Sequence, residues 1–213
     1  MVRRTKEDVL ITRNKLLDAA ELVFFEKGVS HTTLADIAQR AGLTRGAIYW
    51  HFKHKSNLFV AMLDRVPLPI GKLKIMSERS RINPIQRLRK ILIGCLLDVT
   101  LDPQLNRVFS ILFLKCEYTG EMAPMFLRTQ ISTTETLEQF QKILVSAIEK
   151  KQLPEKLDTW RSALMLHTLI CGFIRDMLIL PDVIDAEEHA KKLIDGCIDM
   201  LRYSRAMRKN KSI

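Results

Sequence analysis

Apolar residues recur every three to four positions along nearly the whole chain, and no alternating strand pattern interrupts them. The pattern predicts an all-α fold. Leu10, Leu17, Ala20 and Phe24 share one face of a first helix, which Gly28 closes. In the stretch TTLADIAQRAG, Thr33 and Asp36 have the spacing of a capping box. Leu34, Ile37, Ala38 and Ala41 form the buried face of that second helix, and Gly42 stops it. Thr44 caps a third helix, and Lys55 or Ser56 opens a fourth. Longer helices follow over approximately 84–101, 103–116, 124–151, 158–180 and 186–203, with Pro84, Pro103, Pro154 and Pro181 between or at the start of them. The total is about nine helices.

Two helices of about eight residues around a tight glycine turn make a helix-turn-helix, here over about 33–52. Residues 67–83, PLPIGKLKIMSERSRIN, are the least regular connection. They separate an N-terminal three-helix DNA-binding domain, 1–66, from a larger helical domain, 67–213.

Composition narrows the class. With 47% apolar residues in 213, and only 8 Gly and 7 Pro, the chain can bury a real core. Cys95, Cys116, Cys171 and Cys197 are scattered without a C-x-x-C pair, so they read as small buried apolar residues, not as metal ligands. No window has the ~20 uninterrupted apolar residues of a bilayer span, and the N-terminus lacks an export signal. The expected location is the cytoplasm, with no membrane partner. Residues 1–55 hold ten Lys/Arg against six Asp/Glu, and 200–213 hold five basic residues and no acid. The body between them is close to neutral, so the excess of positive charge sits at the two ends. The basic tail reads as a frayed, solvating end. No G-x-S-x-G, H-E-x-x-H, phosphate-cradling glycine loop or C-x-x-C is present, so no catalytic residues, cofactor or metal are assigned.

The segment LTRGAIYWHFKHKSNLF, 43–59, mixes rings with basic residues just after a turn. A buried helix would not carry that charge, and a solvated face would not carry those rings. The second helix of a helix-turn-helix offers its N-terminal residues to base edges. Arg45 has the forked guanidinium that pairs with guanine O6 and N7, and Gly46 lets the backbone approach closely. Tyr49 suits a thymine methyl or a phosphate; Thr32, Thr33, Thr44, His51 and Lys55 carry donors for phosphate oxygens. Ile48 and Phe52, four apart, face inward. Trp50 fits core and surface equally.

TTLADIAQRAGLTRGAIYWHFKHKSNLF, with the preceding ITRNKLLDAAELVFFEKGV, resembles the N-terminal domain of the TetR family of transcriptional regulators. Within it the chain is most similar to the AcrR and TtgR type, local repressors of multidrug efflux pumps. ILFLKCEYTGEM at 111–122 and QLP at 152–154 extend the likeness. The resemblance implies DNA contacts from Thr33, Arg45, Gly46, Tyr49, His51 and Lys55, a near-palindromic double-stranded operator, a homodimer built on the last two long helices, and hydrophobic small-molecule inducers. Pro67 and Pro69 depart from the unbroken fourth helix of close relatives. They predict a bend there, with Val66 and Leu68 carrying motion between the domains.

In the larger domain, ALMLHTLICGFIRDMLIL at 163–180 is apolar almost all round and needs cover on more than one side. Ala190, Leu193, Ile194, Cys197, Ile198 and Leu201 form the stripe of the last helix. Val66, Leu88, Ile91, Leu92, Cys95, Phe109, Phe113, Thr133, Thr136, Phe140, His167, Ile170, Cys171 and Ile174 are the candidate lining of an apolar ligand cavity; the same stripes also serve as solid core. A ligand-released repressor is the leading reading. A sequence-indifferent architectural DNA-binding protein, or a relative serving lipid or secondary metabolism, stands as the alternative.

Overall fold

The computed structural model describes residues 6–66 and 83–209. Among them are nine α-helices: α1 Lys6–Lys27, α2 Leu34–Arg40, α3 Arg45–His51, α4 Lys55–Leu63, α5 Pro84–Leu101, α6 Pro103–Leu114, α7 Ala123–Glu149, α8 Thr159–Ile179 and α9 Ala186–Tyr203. Short 3-10 turns occupy Gly120–Met122 and Arg205–Met207. Pro67, Leu68 and Pro69, and with them the expected bend, lie outside the described residues.

The chain forms two compact units, and their boundary differs from the one the sequence predicts. Residues 103–129 join 1–66 in the first unit, leaving 67–102 and 130–213 as the second. The physical reason lies in α1. Its face of Leu16, Leu17, Ala20, Val23 and Phe24 is buried against α2, α4 and α6. Glu21, only 4% exposed, receives Nε of Arg107 at 2.8 Å and Nε2 of Gln104 at 3.0 Å. A carboxylate buried among apolar side chains requires such partners, so α6 is bound to α1 by charge as well as by packing. Leu10, expected on the buried face, is 59% exposed, because the packed stripe begins one and a half turns later.

In the second unit α5 packs on α8 and α9, and α8 on α9. Local caps explain where these helices start. Asn83 Oδ1 accepts from the amides of Ile85 and Gln86, with Pro84 in the first turn. Asp158 and Asp185 each accept from one first-turn amide, those of Arg161 and Glu188, to open α8 and α9. Arg89 grips Asp195 in a fork, at 2.5 and 2.9 Å, holding α9 to α5. By length and composition α8 is apolar enough to cross a membrane. Here Ala163, Leu166, Ile170, Ile174 and Met177 are packed inside, while Trp160, Leu164 and Ile179 lie outside.

The basic tail is docked, not frayed, through residue 209. Asp158 N–H donates to Met207 O and Lys209 N–H to Lys156 O, both at 2.8 Å, and Arg161 reaches the carbonyls of Ala206 and Arg208. Cys95 and Cys197 are buried; Cys116 and Cys171 are half-buried, and burial pushes both of those thiols up to about 11. They stay protonated and unreactive at neutral pH.

Candidate nucleic-acid interface

The site is assembled by short-range hydrogen bonds. Gly28, at φ +80°, turns the chain out of α1 in a conformation that other residues rarely adopt. Thr33 then caps α2: its Oγ1 accepts from Asp36 N at 3.1 Å, and its own N–H donates to Asp36 Oδ2 at 2.8 Å. The hydroxyl also donates to that carboxylate, and these bonds hold the Asp36 carboxyl at about 2. Gly42, at φ +66°, makes the turn, and Thr44 Oγ1 accepts from Ala47 N at 3.3 Å to open α3.

On α3, Ile48 is fully buried and Phe52 follows it inward, with the Arg13 guanidinium 5.2 Å from its ring. The opposite face is bare. Arg45 and Gly46 are exposed, and Tyr49 and Trp50 are 55% and 68% exposed. Among the described residues neither Arg45 nor Lys53 has an ion-pair partner. A Cβ on Gly46 would meet nothing nearer than Thr44 Oγ1 at 3.9 Å. Packing inside the protein therefore does not require a glycine at this position.

Two expected phosphate contacts are corrected. Thr32 is 1% exposed and donates its hydroxyl to Gly28 O at 2.7 Å. Lys55 is 8% exposed, and its ammonium donates to the carbonyls of Val29 (2.7 Å), Thr32 (3.0 Å) and Ser30 (3.4 Å). Both side chains are spent on folding the loop before α2. Thr33, Thr44, Arg45, Gly46 and Tyr49 remain on the exposed side, and His51 is half-exposed beside Trp50, ring centroids 4.6 Å apart. Trp50, which by sequence fits core and surface equally, is on the exposed side. Helical geometry was the available signal: with Ile48 and Phe52 inward, a residue two places on from Ile48 points about 200° away.

The residues proposed to line one cavity fall in two groups. Val66, Phe109 and Phe113 belong to the first unit, where the two rings stack at 6.0 Å. The others belong to the second: Leu88, Ile91, Leu92 and Cys95 on α5, Thr133, Thr136 and Phe140 on α7, and His167, Ile170, Cys171 and Ile174 on α8. Thr136 donates to Ser132 O, and Cys171 Sγ lies 3.6 Å from His167 Nε2. Burial lowers the His167 pKa, so its ring is neutral at pH 7. A separate groove of about 420 Å³ on α7, lined by Glu138, Gln141, Lys142, Val145, Ser146 and Glu149, includes none of them. Among the described residues no group of three or more His, Cys, Asp or Glu is placed to hold a metal.

A buried-and-bare second helix behind a glycine turn defines a helix-turn-helix regulator. Comparison with known proteins specifies which. Residues 16–62 match the model of bacterial regulatory proteins of the tetR family, and residues 83–203 match the C-terminal region of MAATS-type transcriptional repressors. The regulator TtgR of Pseudomonas putida is 40% identical over 98% of this chain and all of that protein. The structure of NalD, described as the secondary repressor of the MexAB-OprM multidrug efflux pump in Pseudomonas aeruginosa, superposes with a TM-score of 0.85 at 31% identity, covering 92% of this chain and 100% of that one. A SmeT–triclosan complex gives 0.81 at 30% identity, covering 95% and 96%; SmeT represses the Stenotrophomonas maltophilia pump SmeDEF. The chain belongs to the TetR family, with a MAATS-type repressor C-terminal region, and is a transcriptional regulator, not an enzyme.

Proposed function

We propose that this regulator is a cytoplasmic, ligand-responsive repressor of a multidrug efflux pump operon. It binds a near-palindromic operator as a homodimer and leaves it when a hydrophobic small molecule binds. The observation that carries the DNA reading is the bare face of α3, where Arg45, Gly46 and Tyr49 stand without a role inside the protein. Arg45 reads guanine, while Thr33, Thr44, His51 and Tyr49 seat the helix on phosphates or a thymine methyl. For the dimer, Trp160, Leu164 and Ile179 are exposed apolar side chains on α8, the kind of surface a second copy covers. The ligand reading rests on the relatives: NalD and SmeT are described as efflux-pump repressors, and one SmeT structure holds triclosan. The residues of α5, α7 and α8 named above, which share the second unit, are the proposed lining.

The test uses duplexes selected by the protein from a random library. A dimer by sedimentation, binding to a full site far more tightly than to an isolated half-site, and release by triclosan is the expected set of results. Two half-sites centred one helical turn apart are about 34–36 Å from each other. A monomer that binds half-sites as tightly as full sites contradicts the reading. Equal binding to all sequences favours an architectural protein instead.

A further inference from the structure

We infer that the turn between α6 and α7 positions the recognition helix, so that Glu121 and Lys115 set operator affinity without touching DNA. The inference rests on the DNA-binding reading of α3 above.

The first observation is a missing cap. Thr33 and Thr44 cap α2 and α3 from within their own segments, but α4 begins after His54, whose side chain makes no capping bond. The N–H of Lys55, at the start of α4, instead donates to Glu121 Oε1 at 2.7 Å, across 66 residues of chain. Glu121 stands on the 3-10 turn Gly120–Met122, which packs on α4 and is anchored by buried Met122. A carboxylate at that point also meets the positive end of the α4 dipole.

The second observation concerns the other end of the motif. The loop 28–32 leads directly into the cap Thr33, and two lysines hold it. Lys55 fills the carbonyls of Val29, Ser30 and Thr32 from within. Lys115 fixes the far side: its carbonyl accepts from Val29 N–H at 2.9 Å, and its ammonium donates to Phe25 O at 2.6 Å while lying 4.6 Å from the Phe25 ring. Residues 115 and 121 therefore fix both the entry to α2 and the exit from α3. A seven-residue helix such as α3 has no independent stability, and its direction comes from what holds its ends. Arg128, donating to Asp64 Oδ1 at 2.5 Å, pins the C-terminal end of α4 to the same segment.

The experiment compares wild type, Glu121→Ala and Glu121→Gln on an operator duplex that wild type has selected from a random library. Glu121→Ala is expected to weaken binding about fivefold, the worth of one helix cap. The salt dependence should not change, since no phosphate contact is lost. Glu121→Gln keeps an oxygen acceptor at the same reach and should restore binding to within about twofold. Hydrogen exchange over residues 45–57 should rise in the Ala variant and return toward wild type in the Gln variant. Binding by Glu121→Ala equal to or tighter than wild type overturns the inference, since it would mean that the acid merely repels phosphate. Gln binding as weakly as Ala overturns it too. Should Glu121→Ala not fold, Lys115→Met is the second variant, with the same several-fold loss expected and wild-type affinity as the contrary result. A wild-type protein that selects no sequence sinks the DNA reading itself, a failure distinct from these.

Discussion

The helix-turn-helix and the α6–α7 turn meet the same physical demand in opposite ways. In α2 and α3 the unsatisfied N–H groups are met by Thr33, Asp36 and Thr44, each within three residues. In α4, immediately downstream, no side chain of its own segment caps the helix, and its first N–H, that of Lys55, is met by Glu121, brought in from 66 residues away. Local caps make the motif a self-contained reading surface. Distant caps make its orientation a property of tertiary structure, set by α6 and the turn that follows it. The surface thus keeps its chemistry locally, while its mounting depends on residues far along the chain.

The strongest way to break the distant half is at Glu21. Glu21→Ala leaves Arg107 and Gln104 without their buried acceptor and should cost about 3 kcal/mol, the lower end for a broken buried pair because Arg107 is a third exposed. Urea denaturation should show a lower midpoint; an unchanged midpoint would detach α6 from the account. Next comes Lys55, which separates a mounting role from a DNA-contact role. Lys55→Met should cost roughly 1–3 kcal/mol of stability by leaving buried carbonyls unpaired, with no change in the salt slope of DNA binding. A slope smaller by about one unit would restore Lys55 to the phosphate contacts.

The smallest effect belongs to the local half. The Asp36 carboxyl is held below its ordinary 3.8, at about 2, first by the Thr33 hydroxyl and then by the Thr33 amide. A lowered carboxyl pKa stabilises the fold above the unfolded value and loses that contribution as pH falls through the folded one. The difference in melting temperature between wild type and Asp36→Asn should therefore be constant above pH 4 and close between about 4 and 2. A gap already closed at pH 5 would mean that the box is not formed in solution.

This division also explains which features were legible in the sequence. Asn83–Pro84, Asp158 and Asp185 are local signals, and the helices they open begin within a residue or so of the expected places. The inward pair Ile48 and Phe52 followed from helical spacing alone. Lys55 did not, because an ammonium held by three carbonyls depends on the loop 28–32 folding over it, and no periodicity records that. The burial of Thr32 is illegible for the same reason: its hydroxyl donates to Gly28 O four residues back. The grouping of 103–129 with the N-terminal helices rests on Glu21, Lys115 and Glu121, whose partners lie 83 to 90 and 66 residues away. The docked tail likewise depends on pairing with residues 156–161, which composition cannot reveal.

The central claim is that the bare face of α3 reads base sequence, and Arg45 is its sharpest point. The decisive measurement is the affinity of Arg45→Ala for the selected operator and for a random duplex of equal length, at one salt concentration. The account predicts a loss of roughly 1–3 kcal/mol per base contact on the operator and little change on random DNA, with relaxed preference at the contacted position. Equal losses on both duplexes would show Arg45 to be a phosphate contact and would contradict the assignment of α3 as the base-reading helix.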